Sequence, residues 1–508
     1  MSTRESQIKA AVEWLRKIIP AGDLFADSRE ISAAQGAAVF FAYPGDGADR
    51  RAYIAHAIAS GAKAVIYEQA DFVWEDAWQV PHLAVNGLQA LAGPIAAAWY
   101  EHPSTSLFVA AITGTNGKTS CAQWIGEMLS RTGRKTAVIG TLGVTVFVDG
   151  QAGSPDATGY TTPEPLQLQR RLSGLLQAGV SCVAIEASSI GIEAGRLNGL
   201  NIDVALYTNF TRDHLDYHKD MTEYAAAKRK LFDWPGLKHS IMNLDDAKGR
   251  EWVLELASAD RPGLLGYTIT GEKADDLPVL DASEIHALAG GTTFLLHSPY
   301  GQSRIKTRLL GNFNVSNVLG TLGVLLTTGT TWETIIPLVS KLQPPPGRMQ
   351  PLGGDRAPLV VIDYAHTPDA LGKGLAALRT VASDRKGELW CVFGCGGDRD
   401  KGKRGEMGRA AESADHIIVT SDNPRSEEPG QIIKDILSGM TKAVTVLEDR
   451  ASAILQAVRQ AMPNDVIFLA GKGHEAWQEV QGVKYPFADA DHAALALAAF
   501  ETMKRGQP

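Results

Sequence analysis

Residues 108–124, FVAAITGTNGKTSCAQW, constrain the fold more than any other stretch of the chain. The apolar, partly β-branched run 108–113 reads as a buried parallel strand. Gly114-Thr115-Asn116-Gly117-Lys118-Thr119 punctuates it, and from Ser120 onward the pattern is helical. Strand, glycine-rich turn and helix start together form a cradle for phosphate. The glycines let backbone N–H groups turn inward, and the helix N-terminus adds positive potential. Lys118 is placed to neutralise phosphate charge, and the Thr119 hydroxyl to reach Mg2+. The strict motif has glycine where this chain has Ile112, so the loop is a shortened relative of it.

The 508 residues suggest about three domains. With 49 basic against 57 acidic residues the net charge is −8, which argues against a general nucleic-acid binder. Cys121, Cys182, Cys391 and Cys395 form no CxxC pair, so buried reduced thiols are expected. Residues 1–20 read as an amphipathic helix with charges throughout, unlike a signal peptide. No run approaches the roughly 20 apolar residues of a membrane span. A cytoplasmic protein that does not enter membranes is expected, with a monomer as the simplest state.

Residues 1 to about 100 read as a small α/β unit, with strands at 37–43 and 64–67 and a helix at 53–60 ended by Gly61. Asp27-Ser28-Arg29 reads as a surface turn. From 105 to 340 strands and helices alternate, with strands expected at 108–113, 136–140, 182–187, 204–209 and 240–243. This is the pattern of a doubly wound parallel sheet. Residues 263–310 are β-rich, 271–277 read as a loop, and 314–326 as helix. Pro344-Pro345-Pro346-Gly347 reads as a stiff linker. A third α/β pattern follows, with strands at 359–363, 389–393, 416–420, 443–447 and 466–470.

Ligands of doubly wound sheets collect at the carboxyl ends of strands. Glu186 and Ser188 follow one strand, and Thr211-Arg212-Asp213-His214 follow another. A hard cation takes oxygen ligands, which Thr119 and Glu186 supply, with His214 as a less typical nitrogen donor. Lys228 lies on a helix, where periodicity makes it a surface lysine no different from Arg229 or Lys230. The charged run 398–404 reads as a solvated loop placed over the third sheet. Arg399 and Arg425 follow two of its strands and Glu475 a third. Two arginines that read carboxylates, with a glutamate for an ammonium group, make a pocket for a zwitterionic amino acid.

Taken together, GTNGKT, EASS (186–189), TNFTRDHLDYH, GNFNVSN (311–317), GRM (347–349), DYAHTPDAL (363–371), GCGGDRDKGKR, DNPR and GKGHE stand in the order found in the Mur ligases, which the chain resembles over nearly its whole length. These are ATP-dependent amide-forming enzymes of peptidoglycan synthesis. DNPR is similar to the branch that adds meso-diaminopimelate to UDP-N-acetylmuramoyl-L-alanyl-D-glutamate (UDP-MurNAc-L-Ala-D-Glu).

The resemblance implies three domains: a UDP-sugar-binding α/β domain at 1–104, an ATP-binding P-loop domain at 105–343 and an amino-acid-binding, Rossmann-like domain at 344–508. It implies that Lys118, Glu186, His214 and Lys228 carry the chemistry, with Lys228 carboxylated by CO2. It places Thr119, Glu186, His214 and Lys228 around Mg2+. ATP is expected at Gly114, Thr115, Asn116, Gly117, Lys118, Thr119, Ser120, Asn312, Arg348, Asp363 and His366. Ser28, Thr161, Thr162, Ser188 and Arg196 are expected to contact the nucleotide-sugar peptide. Arg399, Asp422, Asn423, Pro424, Arg425, Gly471 and Glu475 are expected to hold diaminopimelate. Ala194, Ile190, Tyr160 and the loop 45–48 depart from residues frequent in relatives. Either His214 or His366 can be asked to serve as general base. The other readings are a related Mur or folylpolyglutamate-type ligase with another acceptor, such as lysine, and a nucleotide-binding scaffold without turnover.

Overall fold

Runs of β-branched and apolar residues alternate with helical stretches along the chain, and the central runs, such as Phe108–Thr113 and Cys182–Glu186, become strands buried on both faces. The computed structural model describes every residue except Met1, Ser2, Gln35, Asp46, Asp260, Pro262, Asp275, Asp276, Ala289, Gly506, Gln507 and Pro508. The first two residues of the expected N-terminal helix, Asp46 of the 45–48 loop and the Asp275-Asp276 pair of the 271–277 loop lie outside the described residues. The chain divides into two compact units: Met1–Thr113 with Ile125–Leu206 and Ala226–Ser240, and Gly114–Trp124 with Tyr207–Ala225 and Ile241–Pro508.

The first unit holds a four-stranded sheet, a two-stranded ribbon of Pro44–Gly45 and Ala48–Asp49, and strands of a larger sheet. The four-stranded sheet is parallel, in the order Asp23–Phe25, Ala38–Ala42, Ala64–Glu68, His82–Val85. Helix Thr3–Ile18 and helix Leu88–Trp99 pack a core on it around Leu15, Phe41, Ile66 and Ile95. The three-residue strand Asp23–Phe25 is too short for any alternation to show, and the sequence reading did not expect it.

The larger sheet has eleven strands, and its first six run Gln151–Ala152, Gly143–Val148, Thr136–Gly140, Cys182–Glu186, Phe108–Thr113, Val204–Tyr207. Thr136–Gly140, Cys182–Glu186 and Phe108–Thr113 are parallel, as expected. Gly143–Val148 is antiparallel, because the chain turns straight back at Thr141 and Leu142 with no crossover helix. The strands expected at 182–187 and 204–209 stop at Glu186 and Tyr207, which frees the polar residues that follow.

In the second unit Val279–Leu288, Gly291–Ser298 and Gly301–Thr307 form an antiparallel meander, a local departure from the parallel pattern. Helix Asn312–Thr327 is buried along nearly all its length, its polar residues Asn314, Ser316, Asn317 and Thr321 included. The last sheet is doubly wound, in the order Gln350–Gly353, Leu359–Asp363, Val466–Ala470, Leu389–Phe393, His416–Val419, Thr445–Val446. Only its edge strand Gln350–Gly353 is antiparallel. The strand expected at 443–447 shrinks to two exposed residues at the other edge.

Beneath this sheet Arg450 and Asp489 form a fully buried pair, with Nε and Nη2 each 2.7 Å from a carboxylate oxygen. Arg450 Nη2 also donates to the Ala470 carbonyl at 3.0 Å. Asp489 opens the last helix, Asp489–Arg505. All four cysteines are free and buried. Among the described residues no helix is long and apolar enough to cross a membrane.

Candidate active site

The glycine turn after Phe108–Thr113 takes the backbone through φ values of +144° at Gly114 and +87° at Gly117. A Cβ on Gly117 would lie 2.4 Å from Asn317 Oδ1, so only glycine lets this loop close on the buried helix. Lys118 Nζ donates to the carbonyls of Gly114 and Thr115, both at 2.9 Å, and so curls over its own loop. Thr115 Oγ1 accepts from Thr211 N at 3.0 Å and lies 3.1 Å from Tyr224 Oη, which makes it a strut. Arg348 Nη2 donates to Thr119 Oγ1 at 2.8 Å, and the guanidinium lies over the Tyr364 ring.

Beside this loop a cavity of about 450 Å3 is lined by Asn116, Gly117, Ser120, Asn312, Arg348 and Asp363, among others. Six of the residues expected around ATP therefore share one cavity. Gly114, Thr115, Lys118, Thr119 and His366 do not line it; the first four belong to the glycine turn and helix start beside it. Sequence reasoning missed its other walls, among them Asn209, Asn243, Phe313 and Lys373. Asn209 and Asn243 close β-runs, the one signal that pointed to them. Burial pushes the Asp363 carboxyl up to about 6, against the opposing charge of Arg348 and a 2.7 Å hydrogen bond from Met349 N.

Next to it Asp213 gathers three nitrogen-bearing side chains. His366 Nε2 lies at 3.4 Å, His214 Nε2 at 3.5 Å and Lys403 Nζ at 3.5 Å. Burial would raise this carboxyl, but hydrogen bonding with His366 and the charges of His366, His214 and Lys403 hold it well below its usual range. Both candidate bases thus share one carboxylate. From sequence Asp213 was named only as part of the polar cluster at a strand end, with no role, and Lys403 only as part of a charged run that reads as solvated. The structure instead buries Lys403 and Arg404.

The third group lies at the strand ends of the last sheet. A Cβ on Gly396 would sit 2.9 Å from Arg425 Nη1 and 3.8 Å from Arg399 Cγ, so the two expected arginines flank one glycine. Arg425 Nη1 donates to the Gly397 carbonyl at 2.7 Å, and Arg399 Nη1 lies 3.4 Å from Asp216. Gly471, at φ +116°, lets Asp422 approach to within 2.4 Å of where a Cβ would stand. Asn423 Nδ2 donates to Glu475 Oε2 at 2.7 Å. Pro424 lies between Asn423 and Arg425, its carbonyl packed against Gly397.

In the first unit Glu186 is 1% exposed, and its oxygens accept from Thr141 N at 2.9 Å and Thr141 Oγ1 at 3.1 Å. Thr161 Oγ1 is 3.2 Å from Thr141 Oγ1. Thr162 Oγ1 donates to the Glu186 carbonyl at 2.8 Å and lies 2.9 Å from Ser188 Oγ. Arg196 Nη1 donates to the Thr162 carbonyl at 3.1 Å, with its guanidinium over Tyr160. These expected residues cluster around one strand end. Ser28 is separate: buried, not a surface-turn residue, it lies 3.0 Å from His56 Nδ1. It lines a cavity of about 480 Å3 with Arg50, Tyr160 and Glu164. Glu164 ties the two groups, pairing with Arg50 at 2.9 Å and Arg196 at 3.6 Å. Neither Arg50 nor Glu164 was foreseen.

Lys228 is 1% exposed, which corrects the surface placement read from periodicity. Its neighbours differ: Arg229 pairs with Asp233 at 2.7 Å and Lys230 with Glu193 at 2.5 Å.

A family model described as the Mur ligase middle domain matches residues 112–325, and one described as the Mur ligase, glutamate ligase domain matches 347–473. The UDP-N-acetylmuramoyl-L-alanyl-D-glutamate--2,6-diaminopimelate ligase of Janthinobacterium sp. (strain Marseille) is 58% identical over 495 residues, 97% of each chain. The ligase of the same name from Ralstonia nicotianae is 47% identical, covering 97% of this chain and 96% of its own. A solved structure of a ligase so named superposes with a TM-score of 0.65 at 34% identity, over 96% of this chain and 99% of that one.

Proposed function

The chain belongs to the Mur ligase family, and from that premise we infer that the residue groups described above serve one reaction, the ATP-dependent addition of meso-2,6-diaminopimelate to the D-glutamate of UDP-N-acetylmuramoyl-L-alanyl-D-glutamate. The observation that carries this reading is the 58% identity over nearly the full length to a ligase of that name.

The D-glutamate γ-carboxylate attacks the γ-phosphate of ATP and forms an acyl phosphate. Catalysis of such a transfer is mostly positioning and charge stabilisation. Lys118 holds its ammonium on two loop carbonyls, ready to exchange them for phosphate oxygens. Arg348, which lines the cavity and bonds Thr119 beside Lys118, adds a second positive charge. The neutral amine of diaminopimelate then attacks the acyl carbon, and phosphate leaves the tetrahedral intermediate. His214 and His366, sharing Asp213, are the two candidates to take the amine proton. At the other end Arg399 and Arg425 read a carboxylate and Glu475 an ammonium group.

We assign Mg2+ to Thr119, Glu186, His214 and a carboxylated Lys228. The donor chemistry fits: a hydroxyl and a carboxylate are hard oxygen donors, and a carbamate converts the Lys228 cation into a third. Among the described residues no cluster of three or more His, Cys, Asp or Glu could hold a metal, so the set depends on the hydroxyl, the modified lysine and the phosphates. When bound, the ion supplies neutralisation of phosphate charge. The burial of Lys228 supports the modification, since a neutral amine is the form that reacts with CO2 and desolvation favours it. Ser28, Thr161, Thr162, Ser188 and Arg196 take the nucleotide-sugar peptide. The domain boundaries we adopt are 1–104, 105–343 and 344–508, and the two family matches fall within the second and third. We place the enzyme in the cytoplasm, as a monomer.

The test is phosphate release by purified protein given ATP, magnesium, UDP-MurNAc-L-Ala-D-Glu and a panel of amino acids. Release that requires the nucleotide peptide and is fastest with meso-diaminopimelate is expected. Preference for lysine would move the chain to another branch, and no release would favour the scaffold reading.

A further inference from the structure

Lys472 has no role in the reaction as written, yet it is 0% exposed and makes three hydrogen bonds. We propose that it is a positioning residue of the amino-acid site, fixing which oxygen of Glu475 meets the incoming ammonium group. The proposal rests on the reading that Glu475, Arg399 and Arg425 hold the amino acid.

Lys472 follows the strand Val466–Ala470 by two residues and stands between Gly471 and Gly473. Its Nζ donates to Asn423 Oδ1 at 3.1 Å, Glu475 Oε2 at 3.1 Å and the Trp477 carbonyl at 2.6 Å. A buried ammonium group with three acceptors is fully satisfied, and every group it touches is held in turn. Asn423 Oδ1 also accepts from Glu479 N at 3.0 Å. Two donors on one amide atom leave no freedom to flip. The NH2 end must face Glu475, where it donates to Oε2 at 2.7 Å. Both hydrogen bonds to the Glu475 carboxylate therefore land on Oε2. Oε1 carries none among the described residues, and is the oxygen presented to a ligand.

The same ammonium steadies the arginine end. Through the Trp477 carbonyl it holds the hairpin of Trp477–Val480 and Val483–Pro486. That hairpin grips Arg425 by its backbone, with Arg425 N donating to the Glu479 carbonyl at 3.0 Å and Gln481 N to the Arg425 carbonyl at 2.7 Å. Arg425 has φ +52°, a left-handed conformation costly for arginine that these two bonds maintain. One buried cation thus sets the acid for the ammonium and the strand that carries the arginine.

The experiment uses the full chain and steady-state phosphate release, varying each of the three substrates in turn. Lys472→Met keeps most of the length of the side chain and removes its charge. It is expected to raise the KM for diaminopimelate tenfold or more while the KM values for ATP and the nucleotide peptide stay within twofold. Asn423→Asp, which leaves Lys472 paired but removes the donor to Glu475, is expected to do the same. A merely structural lysine would instead change all three KM values together or lower kcat alone, and either result in both variants overturns the proposal. If Lys472→Met does not fold, Asn423→Asp decides: a KM for diaminopimelate within twofold of the parent overturns it. Arg425→Ala separates this from the site reading. A raised KM for diaminopimelate in Arg425→Ala with no change in the Lys472 and Asn423 variants removes only the role of Lys472. An unchanged KM in Arg425→Ala removes the site, and the proposal with it.

Discussion

Lys228, Arg229 and Lys230 stand in consecutive positions and meet three different surroundings. Arg229 and Lys230 pair with acidic side chains near the surface, while Lys228 is buried. Helical periodicity could not tell them apart, because the burial comes from packing contributed elsewhere in the chain. If Lys228 is carboxylated, protein equilibrated with 13C-bicarbonate shows a carbamate resonance that Lys228→Ala lacks. The same variant loses about two orders of magnitude or more in kcat; near-normal phosphate release would remove the residue from the mechanism. His474 makes a pH prediction. Burial first, then the charges of Arg348 and Lys472, push it down from 6.5 to about 4, so the folded protein keeps it neutral. The unfolded chain binds its proton below about 6.5. Stability from this residue is therefore complete above that pH and is lost as pH falls toward about 4. It amounts to up to about 3 kcal/mol. His474→Gln is expected to flatten the fall in melting temperature between pH 7 and 4.5, and an unchanged slope would show that another group titrates.

Loops placed by strand ends carry most of the candidate site, and here charges of alternating sign tie two of them together. Arg212 reaches Asp400 at 2.9 Å and Glu406 at 3.3 Å, Asp213 reaches Lys403, and Asp216 reaches Arg399. Arg212 is more than a third exposed, so its share is modest. A double-mutant cycle on Arg212→Ala and Asp400→Ala by urea denaturation is expected to give a coupling of about 0.5–1 kcal/mol, shrinking in high salt. A coupling indistinguishable from zero would mean the ladder is held by its neighbours alone. At this scale the sequence was most readable. The strand 108–113, the glycine turn, the strand 359–363 and the strand 466–470 fall where hydrophobic runs and turn residues put them. The misses have physical causes. Asp23–Phe25 is too short for a period, Thr445–Val446 is an exposed edge, and the hairpin at Thr141 reverses direction without the crossover that alternation implies. Lys403 was missed because its acceptor, Asp213, lies far away in sequence, and Lys472 because one of its three, Asn423, does.

Across the whole molecule, the compact units do not follow the chain. Gly114–Trp124 and Tyr207–Ala225 group with the C-terminal half. The glycine turn is held there by Asn317, Thr211 and Arg348, residues hundreds of positions apart or brought in by other strands. Sequence order showed three α/β patterns correctly as patterns, but contacts made by long polar side chains cannot be read from it. The buried pair of Arg450 and Asp489 carries this furthest. Asp489 belongs to the final helix, while Arg450 braces Ala470, the last residue before the segment bearing Lys472 and Glu475. A fragment ending ahead of Asp489 would strand a guanidinium in the interior, a penalty of about 3–5 kcal/mol directly behind the residues we assign to diaminopimelate. Shortened versions for screening or crystallisation should therefore retain the terminal helix, even though none of its described side chains lines either cavity.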